Sequence, residues 1–446
     1  MVGTNRERGR QASQSLASKP AGERSVVVVP SKPRLLNVLG PGLITGASDD
    51  DPSGIATYSQ AGAQFGYAMG WTMLITYPLM ATVQEVSARI GRTTGQGLAG
   101  NISRLYPAPV VYGLVALVLI ANIINIGANL GAMGEALGLL IGGPHLLYVV
   151  AFGLVCAALQ IFLKYTRYVS VLKWLTLVLF AYVATLFVVK IDWRALFAGF
   201  LPMPTLGSDY WQMTVAILGT TISPYLFFWQ ASQEVEDIRE KPRRQPLVRS
   251  PQQAADAYQR IRLDTLVGMG LSNLVALAII VTVAATLHQA GVTHIDSAAQ
   301  AAEALKPVAG ELAFFLFALG IIGTGLLSVP VLAGSAAYAI GEAAHWKVGL
   351  SRRPAEARGF YAALAVATVV GMALNILNVN PITALYWSAV INGVVAVPVI
   401  VAMMLITADQ RIMGKFTISG PLRTLGWMTA VAMGLAVLAM VATWAT

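Results

Sequence analysis

The sequence predicts an all-α polytopic membrane protein in which two of the spanning helices are broken. Three observations carry that expectation. Of 446 residues, 56% are hydrophobic and only 11% are charged, where a soluble domain carries roughly 25% charged residues. The apolar residues fall into stretches near the roughly 20 residues that a spanning helix needs. Asp51-Pro52-Ser53-Gly54 interrupts the first stretch, directly after Asp49 and Asp50, and Leu218-Gly219-Thr220-Thr221-Ile222-Ser223-Pro224-Tyr225 interrupts the sixth. The short alternating segments of a membrane β-barrel are not seen.

Eleven candidate spans follow in order, at 36–67 (broken), 68–90, 109–140, 144–163, 168–190, 210–234 (broken), 263–287, 311–341, 359–376, 381–407 and 424–445. The broken spans stand at positions one and six. The chain therefore divides into a first five-helix repeat at 35–190, a second at 210–407 and an eleventh helix at 424–446. Five is odd, so the second repeat enters from the opposite face and is inverted. The basic tail 1–34 has only a run of four valines, too short for a signal-peptide core, and is expected to be a disordered cytoplasmic extension. The polar stretch 238–261 reads as a cytoplasmic connector, with a short surface helix expected near 251–262. Cys156 is the only cysteine, which excludes a disulfide and a thiolate metal cluster.

The net charge of +9 is explained by its placement. With a cytoplasmic N-terminus and a crossing at every span, 27 of the 30 Lys and Arg fall in cytoplasmic segments, and only Lys190, Arg194 and Lys306 fall outside. One orientation thus satisfies the positive-inside rule. The expected location is a bacterial-type inner (plasma) membrane. The expected partners are the lipid bilayer and a metal ion, with no nucleic acid and a monomeric state.

Carboxylates at bilayer depth are costly and face a hydrated cavity or a bound cation. Proline and glycine free backbone carbonyls there, which is tolerated only where the chain is buried in protein or lines a cavity. Paired interruptions at matching positions of two halves are the sequence pointer to a transport site; two proline kinks that aid packing are the plainer reading.

The same residues carry a resemblance. Gly40-Pro41-Gly42-Leu43, Asp51-Pro52, Ile55-Ala56-Thr57 and Gln60-Ala61-Gly62-Ala63-Gln64-Phe65-Gly66-Tyr67 resemble the first span of Nramp divalent-metal transporters, and Gln84 to Arg89 with Gly91 and Thr94-Gly95 resembles the end of that family's second span. The resemblance implies the LeuT-type 5+5 inverted-repeat fold with an eleventh helix. It also exposes departures. The family's Asp-Pro-Gly-Asn is Asp51-Pro52-Ser53-Gly54 here, and its Met-Pro-His is Ser223-Pro224-Tyr225. Asn125 and Ala128 align where the family carries acids of span three.

Loss of the thioether removes the ligand that favours soft metals; carboxylate, hydroxyl, carbonyl and water suit Mg²⁺, Ca²⁺ and Mn²⁺. The expected cargo is a hard divalent cation, Mg²⁺ first and Mn²⁺ second, moved by alternating access without obligatory protons. The metal is substrate, and no cofactor is expected. Asp51 and Ser223 are the expected metal ligands, with Thr221, Asp50, Pro52, Gly54 and Tyr225 completing the site through side chains or freed carbonyls. Tyr225 either packs or coordinates. Asp49 and Asp50 either concentrate cations or are helix-end acids facing an aqueous vestibule. Asn122, Asn125 and Asn129 share one helix face, which lines a hydrated path or bonds neighbouring helices. Asn392 is read in the same way, and Asn375, Asn378 and Asn380 as a loop. Glu85, Glu135 and Glu342 read as interfacial acids. His145, His288, His294 and His345 lie away from the break. Competing readings are a carrier of a proton-coupled transition metal or small organic solute, and a non-transporting receptor. An intramembrane enzyme would need a second mid-membrane acid or a zinc motif, and neither is read in the sequence.

Overall fold

The computed structural model describes residues 41–163, 180–201, 207–306, 310–377 and 379–444. The tail 1–34, most of the fifth expected span and Asn378 lie outside the described residues. The first broken span consists of α1 (Pro41–Asp49) and α2 (Pro52–Phe65), followed by α3 (Gly70–Thr94), the short amphipathic α4 (Leu98–Leu105), α5 (Ala108–Ile141) and α6 (His145–Phe162). The second broken span consists of α7 (Ser208–Thr221) and α8 (Pro224–Glu240). Then come α9 (Ala254–Val283), α10 (Ala313–Ala343), α11 (Arg358–Leu374), α12 (Pro381–Ala408) and α13 (Pro421–Trp444). Among the described residues no strand is present.

Both breaks have the same local cause. A residue before proline is pushed out of the helical region, and Asp51 (ψ 171°) and Ser223 (ψ 130°) are extended. Proline itself suits the first helical position, where its missing N–H removes nothing. Pro52 and Pro224 therefore end one half-helix and start the next.

Seven helices are long and apolar enough to cross a membrane among the described residues. They are α5, α6, α9 with its flanking turns, α10, α11, α12 and α13. The half-helices are too short singly, and α3 carries Gln84, Glu85, Arg89 and Arg92 within its 25 residues. One expectation is corrected. The stretch near 251–262 is no separate surface helix: Pro251 opens a 3₁₀ turn that runs directly into α9.

Glycine permits two close crossings that place the breaks. A Cβ on Gly46 of α1 would lie 2.2 Å from the Gly268 carbonyl oxygen of α9, and one on Gly219 of α7 would lie 2.0 Å from the Ala389 carbonyl oxygen of α12. Small residues at interfaces let membrane helices approach in this way. Gly219→Ala is expected to lower the stability of the purified protein by about 1–3 kcal/mol, the usual cost of overpacking. Gly434→Ala, where the nearest atom to the new methyl is 3.8 Å away, serves as the control and should not. Thermal unfolding in detergent compares them; equal melting of the two variants would contradict the crossing.

Candidate metal site

The two breaks meet in the interior. Tyr225, one residue into α8 beyond Pro224, donates its hydroxyl to the Ser48 carbonyl at 2.7 Å, latching α8 to the end of α1. Asp49, Asp50 and Asp51 are at most 1% exposed. The vestibule-facing alternative for Asp49 and Asp50 is thereby corrected: helices close over both.

Asp51 caps α2. Its Oδ1 accepts from Ser53 Oγ at 2.6 Å and from the Gly54 N–H at 2.9 Å. Its Oδ2 accepts from Asn129 Nδ2 at 3.1 Å and Asn125 Nδ2 at 3.4 Å, both on α5. These amides are braced in turn, Asn129 donating to Ser328 Oγ of α10 at 3.3 Å and Asn125 accepting from Ser388 Oγ of α12 at 3.2 Å. The other two acids face α9. Ser272 Oγ lies 2.8 Å from Asp49 Oδ2 and 3.1 Å from Asp50 Oδ1. Among the described residues no basic side chain pairs with any of the three.

The remaining expected residues divide. Thr221 and Ser223 donate their hydroxyls back to Ile217 and Gly219 carbonyls, at 2.9 and 2.7 Å, which leaves the oxygen lone pairs available. Pro52 and Gly54 belong to the first turn of α2. A Cβ on Gly54 would meet the Asp49 carbonyl and Thr220 Oγ1 at 3.2 and 3.3 Å, so the space of the family's asparagine is partly filled. Asn122 does not reach the carboxylates: its amide donates to the Leu332 carbonyl of α10 at 3.2 Å, the bond to a neighbouring helix that was the second reading of this face. Ala128 lines an apolar cavity of about 260 Å³ beside Leu374 and Trp387. Asn392 is fully buried on α12 and makes no hydrogen bond with the described residues. Asn375 and Asn380 are more than loop residues, bonding the Gly127 carbonyl and capping α12. Glu135 accepts from the Ala298 N–H, and Glu85 pairs with Arg89 at 2.5 Å.

Ser272, Ser328 and Ser388 were not singled out in the sequence, nor was Asp264, which accepts from the Gly42 N–H at 2.7 Å at the start of α1. A signal existed: Asp264, Gly268 and Ser272 recur every four residues and oppose Gly42, Gly46 and Asp50, which do the same.

The two ends of the broken helices differ. At the end of α8, Glu234 pairs with Arg260, Glu236 with Arg239 at 3.1 Å, and Asp237 with Lys241 at 2.6 Å and with Arg244. Burial and the Arg260 charge hold the Arg244 guanidinium down to about 10, still protonated at neutral pH. At the other end a cavity of about 240 Å³, lined by Gln60, Asp209, His294 and Asp296, reaches down α2 to Ala56, roughly 6 Å along the axis from Pro52.

The family model for "Natural resistance-associated macrophage protein-like" chains, Nramp, matches residues 42–443. The chain belongs to the Nramp family. It is 27% identical over 409 residues to the divalent metal cation transporter MntH of Deinococcus radiodurans, covering 89% of this chain and 88% of that protein. The structure is similar to that of the Eremococcus coleocola manganese transporter, with TM-score 0.70 at 18% identity over 92% of this chain and 88% of that one. It also matches MhsT in complex with L-phenylalanine, with TM-score 0.56 at 11% identity over 90% and 98% of the two chains. The fold is thus the helical transporter fold of this Nramp member, of the LeuT type, in an integral membrane protein.

Asn129→Ala removes one of four donors from a buried carboxylate. It is expected to cost about 1.5–3 kcal/mol, the range for hydrogen bonds to charged groups. Thermal unfolding of the metal-free protein measures it, and unchanged melting would show that Asp51 does not depend on Asn129.

Proposed function

We propose that this protein carries a hard divalent cation across the membrane by alternating access, Mg²⁺ first and Mn²⁺ next, without obligatory proton coupling. One observation supports it above the rest: three buried carboxylates stand at the meeting of two broken helices, and among the described residues no cationic side chain balances them. Buried carboxylates without a partner are strongly unfavourable, and a divalent cation supplies the missing charge. The relatives are a divalent metal cation transporter and a manganese transporter by name.

The preference follows from donor chemistry. Among the described residues the hydrogen-bond donors to the three carboxylates are hydroxyls, amides and a backbone N–H, from Ser53, Gly54, Asn125, Asn129 and Ser272. Neither sulfur nor imidazole is among them, which suits Mg²⁺ and Mn²⁺ over softer metals. The coupling reading rests on the same list, because asparagine amides do not titrate. Asp51 is the anchoring ligand, with Ser223 opposite it on the second break. The N-terminus is cytoplasmic on the charge argument, so the ion-paired end of α8 faces the cytoplasm and the cavity with Asp209 and Asp296 faces outward.

Liposomes loaded with a pH-sensitive dye test this with potential clamped. Mg²⁺ and Mn²⁺ should enter with no proportional acidification, and Asp51→Asn should abolish entry in a monodisperse protein. Acidification that scales with influx contradicts the coupling reading; wild-type uptake by Asp51→Asn contradicts the site.

Ser223→Met should shift competition toward Cd²⁺ and Mn²⁺ relative to Mg²⁺, because a thioether is the softer ligand. An unchanged ranking in a variant that still transports would place residue 223 away from the ion.

A further inference from the structure

The three acids are not equivalent. The Asp51 carboxylate receives four hydrogen bonds, from Ser53, Gly54, Asn125 and Asn129. It is satisfied as an anion by neutral donors. Asp49 and Asp50 share a single hydroxyl: the one proton of Ser272 Oγ faces both Asp49 Oδ2 and Asp50 Oδ1. A hydroxyl has one hydrogen to give, so one of the two carboxylates always lacks it. Among the described residues Asp49 Oδ1 has no hydrogen-bond partner. The Tyr58 hydroxyl, on a side chain that is 0% exposed, also lacks a partner of hydrogen-bonding geometry. Its ring stands 3.3 Å, and the Asp49 carbonyl oxygen 3.2 Å, from the point that a Cβ on Gly54 would occupy, so it lies beside the break. A buried unsatisfied polar group is costly, and here an unpartnered phenol and an unpartnered carboxylate oxygen accompany two unbalanced charges.

We propose that Asp49, Asp50 and Ser272 form a second cation position, on the α9 side of the break and separate from the one at Asp51 and Ser223, which holds the divalent ion while the helices are closed. It rests on the reading that the cargo is a divalent cation. Two carboxylates neutralise the +2 charge. Oxygens that already converge on one Ser272 Oγ can converge on a cation with contacts of about 2.0–2.6 Å. Ser272 then turns its lone pairs to the ion. Asp51 stays a helix cap held by α5 and meets the ion only at transfer from the Ser223 side. Transport thus becomes a handover between a satisfied carboxylate and a starved pair, which keeps the ion from being bound too tightly at either.

Binding of Mn²⁺ to the purified full-length chain, read from the loss of the free-ion paramagnetic resonance signal, tests this. Asp49→Asn/Asp50→Asn should weaken Mn²⁺ binding by at least about 100-fold, because two charged ligands are lost. Ser272→Ala should weaken it less, and Asp51→Asn should still bind within about 10-fold of wild type, although it does not transport. The double variant should melt no lower than wild type without metal, since like charges are removed, and should lose the Mn²⁺-induced rise in melting temperature. Wild-type affinity in the double variant overturns the inference. So does loss of binding in Asp51→Asn equal to that in the double variant, an outcome that leaves the divalent carrier standing. A wild-type chain that binds no Mn²⁺ overturns both.

Discussion

The structure depends on three adjacent carboxylates buried at a helix break, which no cationic side chain among the described residues meets. Charge taken out of water is tolerated only where it is paired or fully hydrogen-bonded. Asp51 meets the second condition with donors from α2 and α5, and Asp49 and Asp50 meet neither. The surrounding helices are arranged around that deficit. The Tyr225 latch ties the second break to the first, and Ser328 and Ser388 hold the two asparagines that hold Asp51.

Close packing sets these groups at their distances. The Gly46–Gly268 and Gly219–Gly393 contacts bring α1 onto α9 and α7 onto α12 with almost no side chain between. Large residues there would move Ser272 away from Asp49, and α7 away from the carboxylates. The ion pairs at the end of α8, Glu234 with Arg260 and Asp237 with Lys241 and Arg244, balance the acids at that end in a way that the acids at the break are not balanced.

Much of this was legible in the sequence because its causes are local. Asp51-Pro52 and Ser223-Pro224 act on their own backbone, so both breaks could be placed to the residue. What depended on the choice of neighbours was not legible. Asn122 shares a face with Asn129 but stands seven residues, about 10 Å, along the axis, and so meets Leu332 instead of Asp51. Ser272 has no meaning until α9 is known to lie against α1. The helix expected near 251–262 was set apart from the span at 263 because its residues are polar, whereas they are simply the first turns of α9. The departures from the family motif were legible as losses of Asn, Met and His. That Gly54 leaves little room for the missing asparagine required the positions of Asp49 and Thr220.

The carboxylate deficit is most directly examined by locating a cation within it. Crystals of the full chain grown with Mn²⁺ and measured at an anomalously scattering wavelength give the ion's position independently of any transport assay. The account predicts an anomalous peak between the carboxylates of Asp49 and Asp50 beside Ser272 Oγ, on the α9 side of the α1–α2 break. An empty break at saturating Mn²⁺, with peaks only at outer acids such as Asp209 and Asp296, would contradict it.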